Sequence, residues 1–228
     1  FKNDRLKYID IIEKEMLPYV YENGLADFCD VFCEKSAFSA EETNYILEKA
    51  SNYGFKIKLH SEQFNNIGGL DLALKHKAVS IDHLEMLNSE DIDKLVNSDI
   101  VAVLLPGVSF FLNYNFANAR AIIDNNGIVA ISTDFNPGSS NIQDLNLVMS
   151  IAALKMKMKV EETISAVTIN AAKALAIEKS NGSIEINKKA DFAIFNANEY
   201  SEILYNVGHN LNIMTIKNGE IIFNKENL

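Results

Sequence analysis

The sequence predicts an α/β fold of successive β-α units closing toward a (β/α)8 barrel, followed after residue 180 by a small β-module. Three observations carry this. Apolar, Val/Ile/Leu-rich runs alternate with helical patterns in a repeating order, the signature of a buried parallel sheet. No Gly-rich phosphate fingerprint follows any of these runs, which weakens an open dinucleotide-binding sheet. Polar, chemistry-bearing residues fall where the runs end, and in a parallel barrel that end is the functional mouth.

Taken in order, the first strand is "FCDVF" (28–32), followed by a helix whose Ser39 and Glu42 have capping-box spacing and which Gly54 ends. "FKIKL" (55–59) is the second strand and "GGLDLALKHK" its helix. "AVSID" (78–82) is the third, and the next helix takes its N-cap from Asn88 or Ser89. "IVAVLL" (100–105) leads to a helix around 115–126, and "IVAIS" (128–132) to helices near 142–157 and 160–177. Beyond 180, "GSIEINKKADFAIFN" and "LNIMTIKNGEIIFN" read as short strands, with Asn218-Gly219 a hairpin cue. This tail is too short to bury a core of its own and must complete a larger piece.

At 228 residues, 48% hydrophobic, the chain has material for one large core. A net charge of −10 with acids and bases intermixed argues against a nucleic-acid or anionic-membrane partner. No apolar run approaches the roughly 18 residues of a membrane span, and no signal peptide opens the sequence. Cys29 and Cys33, four apart in one strand, are too far apart for a disulfide and read as buried thiols of a reducing cytoplasm.

The second predicted strand ends at His60, the third at Asp82-His83, and the fifth at Asp134. Two imidazoles and a carboxylate converging on one mouth suit zinc or ferrous iron. Asp134 can both ligate and accept a proton from an attacking water. In "STDFNPGSS" (132–140), Asn136, Gly138 and Ser139 present an amide, an approachable N–H and a hydroxyl for a small polar ligand. The same stretch also reads as an Asx/Pro-Gly turn that only reverses the chain. His76, in a helix, and His209, in a polar loop, are expected to be solvated.

"LHSEQF…IGG", "SIDHLE", "AVLLPGVSFFL" and "STDFNPGSS" together resemble the later barrel strands of the imidazolonepropionase family, in the amidohydrolase superfamily. "ADFAIFN" resembles the strand that returns that family's chain to its β-sandwich. The resemblance implies hydrolysis of the ring amide of 4-imidazolone-5-propanoate to N-formimidoyl-L-glutamate, in histidine degradation, by a cytoplasmic homodimer. It also implies roles. His60 matches a ligand of the zinc or iron, Asp134 a ligand and the catalytic base, and Gln63 a substrate contact. His83 matches the histidine that orients the water or polarises the carbonyl, and Asn136, Gly138 and Ser139 match substrate- and product-binding positions.

One departure bears on all of this. The superfamily's His-x-His of the first barrel strand has no counterpart in the sequence. The expectation is therefore a C-terminal portion: residues 1–180 as about five of eight barrel strands, and 181–228 as part of a composite β-sandwich. Such a portion is expected to bind metal weakly and to be inactive alone. An amidohydrolase for another cyclic amide, a deaminase and a non-catalytic scaffold are the competing readings.

Overall fold

The structure is a computed structural model that describes residues 4–225. By contacts the chain divides into two compact units, Phe1–Ala102 with Asp124–Ile128, and Val103–Ile123 with Val129–Leu228. A single parallel sheet has the strand order β1-β2-β3-β4-β5, so each strand lies beside its sequence neighbour. That order is the one consecutive β-α units produce.

The first unit opens with α1 (Arg5–Ile11), a π-helical turn (Ile12–Met16) and α2 (Leu17–Glu22). β1 (Phe28–Cys33), α3 (Ala40–Asn52), β2 (Lys56–Ser61), α4 (Gly69–Lys75), β3 (Ser80–His83) and α5 (Ser89–Val96) follow. Ser39 caps α3 as its spacing predicts: its hydroxyl accepts from Glu42 N at 3.2 Å, and the Glu42 carboxylate accepts from Ser39 N at 2.8 Å. The helix buries Thr43, Ile46, Leu47 and Ala50. Every residue of β3 is buried, as a strand covered on both faces must be. Asn88, rather than Ser89, is the cap of α5.

Strand β4 (Val101–Leu104) begins where the first unit ends, and β5 is Val129–Ile131. The second unit contributes α6 (Pro106–Leu112), α7 (Ala119–Asp124), α8 (Leu145–Met156), α9 (Val160–Val167) and α10 (Ile169–Ala174). The helix expected around 115–126 is thus shorter and is preceded by another, which Pro106 opens at its first turn. The expected helix 160–177 is two helices, because Thr168 leaves helical geometry at φ −119°, ψ −98°.

After these come β6 (Phe192–Phe195), α11 (Glu202–Tyr205), β7 (Asn212–Lys217) and β8 (Glu220–Asn224), the strands forming an antiparallel sheet. The β7–β8 turn is the Asn218-Gly219 pair, both at positive φ (52° and 85°), as a primed two-residue turn requires. Asp191 secures it, accepting from Asn218 N and the Lys217 ammonium at 2.8 Å each. Among the described residues no helix is long and apolar enough to cross a membrane.

Candidate active site at the strand ends

Strand register positions the first group of side chains. Phe32 pairs with His60 and His60 with Asp82, while Cys33 pairs with Ser61 and Ser61 with His83. Paired residues share a face and neighbours in sequence alternate, so Asp30, Phe32, His60 and Asp82 lie on one side. His60 Nδ1 lies 3.0 Å from Asp30 Oδ1, and His60 Nε2 lies 3.8 Å from Asp82 Oδ2. Asp82 is 8% exposed, and burial, opposed by the nearby His60 and Lys58, pushes its carboxyl above the ordinary aspartate value.

By simple alternation His83 would point away from His60. Its backbone is left-handed instead, at φ 84°, with Leu84 after it at φ 72°. The His83 ring consequently sits 5.6 Å from that of His60, centroid to centroid. His83 is buried, its Nδ1 has no hydrogen-bond partner among the described residues, and the nearest carboxylate oxygen, Glu85 Oε2, is 3.7 Å away. Non-glycine residues at positive φ cost about 1–3 kcal/mol and concentrate where geometry serves function.

Gln63 follows β2 and is buried. The residue before it, Glu62, is also left-handed (φ 53°) and fully buried. Glu62 Oε1 accepts from Gly69 N at 2.8 Å, fastening the strand end to the start of α4. Burial raises the Glu62 carboxyl, against the hydrogen bonds it accepts. On the far side of Gln63, the backbone N–H groups of Phe64 and Asn65 donate to Glu34, the residue that follows β1.

The second group belongs to the other unit. Asp134 lies three residues beyond β5, half-buried, with φ 47°. Asn136 organises the turn: its Oδ1 accepts from Gly138 N at 2.9 Å and from Ser139 N at 2.8 Å. Its Nδ2 donates to the Asp134 carbonyl at 2.8 Å, to Asp134 Oδ2 at 3.1 Å and to Ser139 Oγ at 2.8 Å. The turn is closed by a pair of backbone hydrogen bonds between Asn136 and Ser140. The Asx-turn and the carboxylate display anticipated as alternatives are thus one structure, in which the Asn136 amide aims the Asp134 side chain.

His209 is exposed, as expected of a loop histidine. His76 is not simply solvated: at the end of α4 it is half-buried, and its Nε2 lies 2.9 Å from Asn44 Oδ1. Both cysteines are free thiols; Cys33 is buried as expected, whereas Cys29 is half-buried, and its partial burial still pushes it up to about 11, well away from a reactive thiolate. Sequence reasoning assigned no part to Asp30 or Glu34. An acid inside the apolar run "FCDVF", and a second one closing it, were the available signals.

The donors fit a divalent ion in kind. Asp30 Oδ1 lies within hydrogen-bond distance of His60 Nδ1, the kind of carboxylate contact that a metal-bound imidazole makes through its other nitrogen. Among the described residues, however, no three His, Cys, Asp or Glu side chains are grouped to hold a metal.

Comparison with known proteins agrees with this architecture. The chain is 44% identical over 225 residues to the imidazolonepropionase of Geobacillus thermodenitrificans, covering 99% of the chain and 53% of that protein. To the imidazolonepropionase of Thermoanaerobacter pseudethanolicus it is 45% identical over 212 residues, 92% of the chain and 51% of the relative. The chain spans about half the length of the curated relatives it matches. Among solved structures, an adenosine deaminase from Xanthomonas campestris with bound zinc superposes with a TM-score of 0.79 at 17% identity, over 93% of this chain and 56% of that one. An atrazine chlorohydrolase from Arthrobacter aurescens, complexed with zinc and atraton, gives 0.77 at 14% identity, over 96% and 56%. These distant likenesses concern the fold alone. The profile of the amidohydrolase family matches residues 34–222, and the chain belongs to that family.

Proposed function

We propose that this chain is part of an enzyme that hydrolyses the ring amide of 4-imidazolone-5-propanoate, releasing N-formimidoyl-L-glutamate. The observation that carries the reading is the 44% identity to an imidazolonepropionase along 99% of the chain. It covers the strand-end residues His60, Gln63, His83 and the 134–139 turn. Residues 1–180 are assigned to the barrel and 181–228 to the sandwich, in a cytoplasmic homodimer that acts on a small molecule.

A divalent ion, zinc or iron, would be held by His60 Nε2 and the Asp134 carboxylate. When bound it supplies Lewis acidity toward the scissile carbonyl. Asp134 is the general base: its carboxylate, aimed by Asn136, takes the proton of the attacking water and returns it to the departing ring nitrogen. His83, fixed by its left-handed backbone, orients that water or polarises the carbonyl. Gln63 binds the substrate, and the Ser139 hydroxyl and the Gly138 backbone lie on the turn that receives the product.

Turnover of imidazolone propanoate, compared with other cyclic amides and with aminopurines, tests the reading in the metal-loaded enzyme. Preference for imidazolone propanoate is expected. Efficient turnover of another ring, with none of imidazolone propanoate, replaces it. Reconstitution with zinc and with ferrous iron separates the two metals.

A further inference from the structure

Glu34 has no part in the chemistry above, yet it is a fully buried carboxylate, 0% exposed. Its position follows from the sequence: β1 ends at Cys33, and the next residue turns inward rather than into solvent. Four donors converge on it. Oε2 accepts from Phe64 N at 3.0 Å and Asn65 N at 3.1 Å; Oε1 accepts from Asn65 Nδ2 at 2.9 Å and Lys35 N at 2.8 Å. Three of these come from one segment, the two residues directly after Gln63. Burial alone would raise the Glu34 carboxyl; the hydrogen bonds outweigh it and hold the group below its ordinary value, so it stays ionised in the fold.

After β2 the chain turns at Glu62, whose φ is 53°, and Gln63 follows. Glu62 is bound to Gly69 on one side of Gln63, and Phe64 and Asn65 are bound to Glu34 on the other. A glutamine held at both flanks by buried carboxylates has a fixed backbone from which to present its amide. Charge-assisted hydrogen bonds to backbone N–H groups are about twice as strong as neutral ones, so the clamp depends on the charge of Glu34 and not only on its shape.

We propose that Glu34 is a positioning residue for Gln63: its carboxylate clamps the 64–65 backbone and thereby sets the orientation of the substrate-contacting amide. The proposal rests on the reading of Gln63 as a substrate contact.

The test compares Glu34→Gln, Gln63→Ala and the double variant in the active enzyme, with imidazolone propanoate as substrate and amide hydrogen exchange as a second readout. Glu34→Gln should raise KM about tenfold with kcat within about threefold, and speed exchange at Phe64 and Asn65. Gln63→Ala should raise KM comparably, and the double variant should add little, because both changes remove one interaction. Multiplying KM effects in the double variant would overturn the proposal, as would unchanged KM and exchange in Glu34→Gln. If Glu34→Gln loosens exchange but Gln63→Ala leaves KM unaltered, the substrate reading of Gln63 has failed and the proposal falls with it, although the clamp itself stands. Should Glu34→Gln not fold, Asn65→Ala removes one bond of the clamp from the loop side. It should raise KM in the same direction by a smaller factor, and an unchanged KM there overturns the proposal.

Discussion

Asp30 Oδ1 and His60 Nδ1 lie 3.0 Å apart, on neighbouring strands whose register sets Asp30 two residues before the partner of His60. A carboxylate accepting from Nδ1–H fixes one imidazole tautomer, the one in which Nε2 carries the lone pair. Asp30→Ala should therefore let His60 shift toward the Nε2–H form, readable from ring-nitrogen shifts in histidine-labelled protein. In the metal-loaded enzyme the same substitution should weaken metal affinity about 10–100-fold. An unaltered tautomer and affinity would remove Asp30 from the site.

Asp134→Asn should lower kcat by roughly 10²–10⁴ while leaving the melting temperature close to the parent's. Asparagine keeps the shape of the side chain and can still accept from Asn136 Nδ2, but it cannot take the water's proton. Retention of more than about a tenth of the parental kcat, with metal content verified, would transfer the base role to another residue.

Stability against pH should show opposite signatures at Glu162 and Glu62. The paired bonds from Arg120, at 2.7 and 2.9 Å, hold the Glu162 carboxyl below its ordinary value. A depressed folded-state pKa contributes stability above the unfolded value, lost as pH falls through the folded one. The deficit of Glu162→Gln should thus be full at neutral pH and vanish in acid. Burial raises Glu62, so its contribution is complete below the unfolded value and fades as pH rises through the folded one. Glu62→Gln, which never ionises, should gain on the parent as pH climbs above the ordinary glutamate range. Urea midpoints at several pH values check both signs.

Gly69→Ala should destabilise the fold by about 3 kcal/mol or more. A Cβ there would stand 1.8 Å from Ser61 Oγ and 2.6 Å from Ser61 Cβ, and Ser61 is fully buried with its hydroxyl donating to the Cys33 carbonyl. Neither side can retreat. Chemical denaturation of the variant measures the loss.

The strands and their order were legible because Val/Ile/Leu runs broken by capped helices leave few alternatives. His60, His83 and Asp134 were legible because each ends such a run. The missing parts are those that pairing register decides. Asp30 becomes a neighbour of His60 only once Phe32 is known to pair with His60. His83 faces His60 only through a backbone angle that no propensity signals. Glu34 reaches the 64–65 segment across 30 residues of chain, a closure the local pattern does not encode. The break at Thr168 was missed because the apolar period runs through it unchanged. The sequence pattern also does not show that the Asn136 amide, expected to face a ligand, bonds to Asp134, Gly138 and Ser139 within its own turn.

Glu62, His83, Leu84 and Asp134 all occupy a backbone region that glycine would enter without strain, and none of them is glycine. Replacement by glycine at the charged or imidazole positions would relax the chain but delete the group that each position displays. At Glu62, His83 and Asp134 the strain cannot be relieved by glycine without losing the side chain, so gains in heat tolerance that keep these groups come from elsewhere, on outer helix faces and in surface loops.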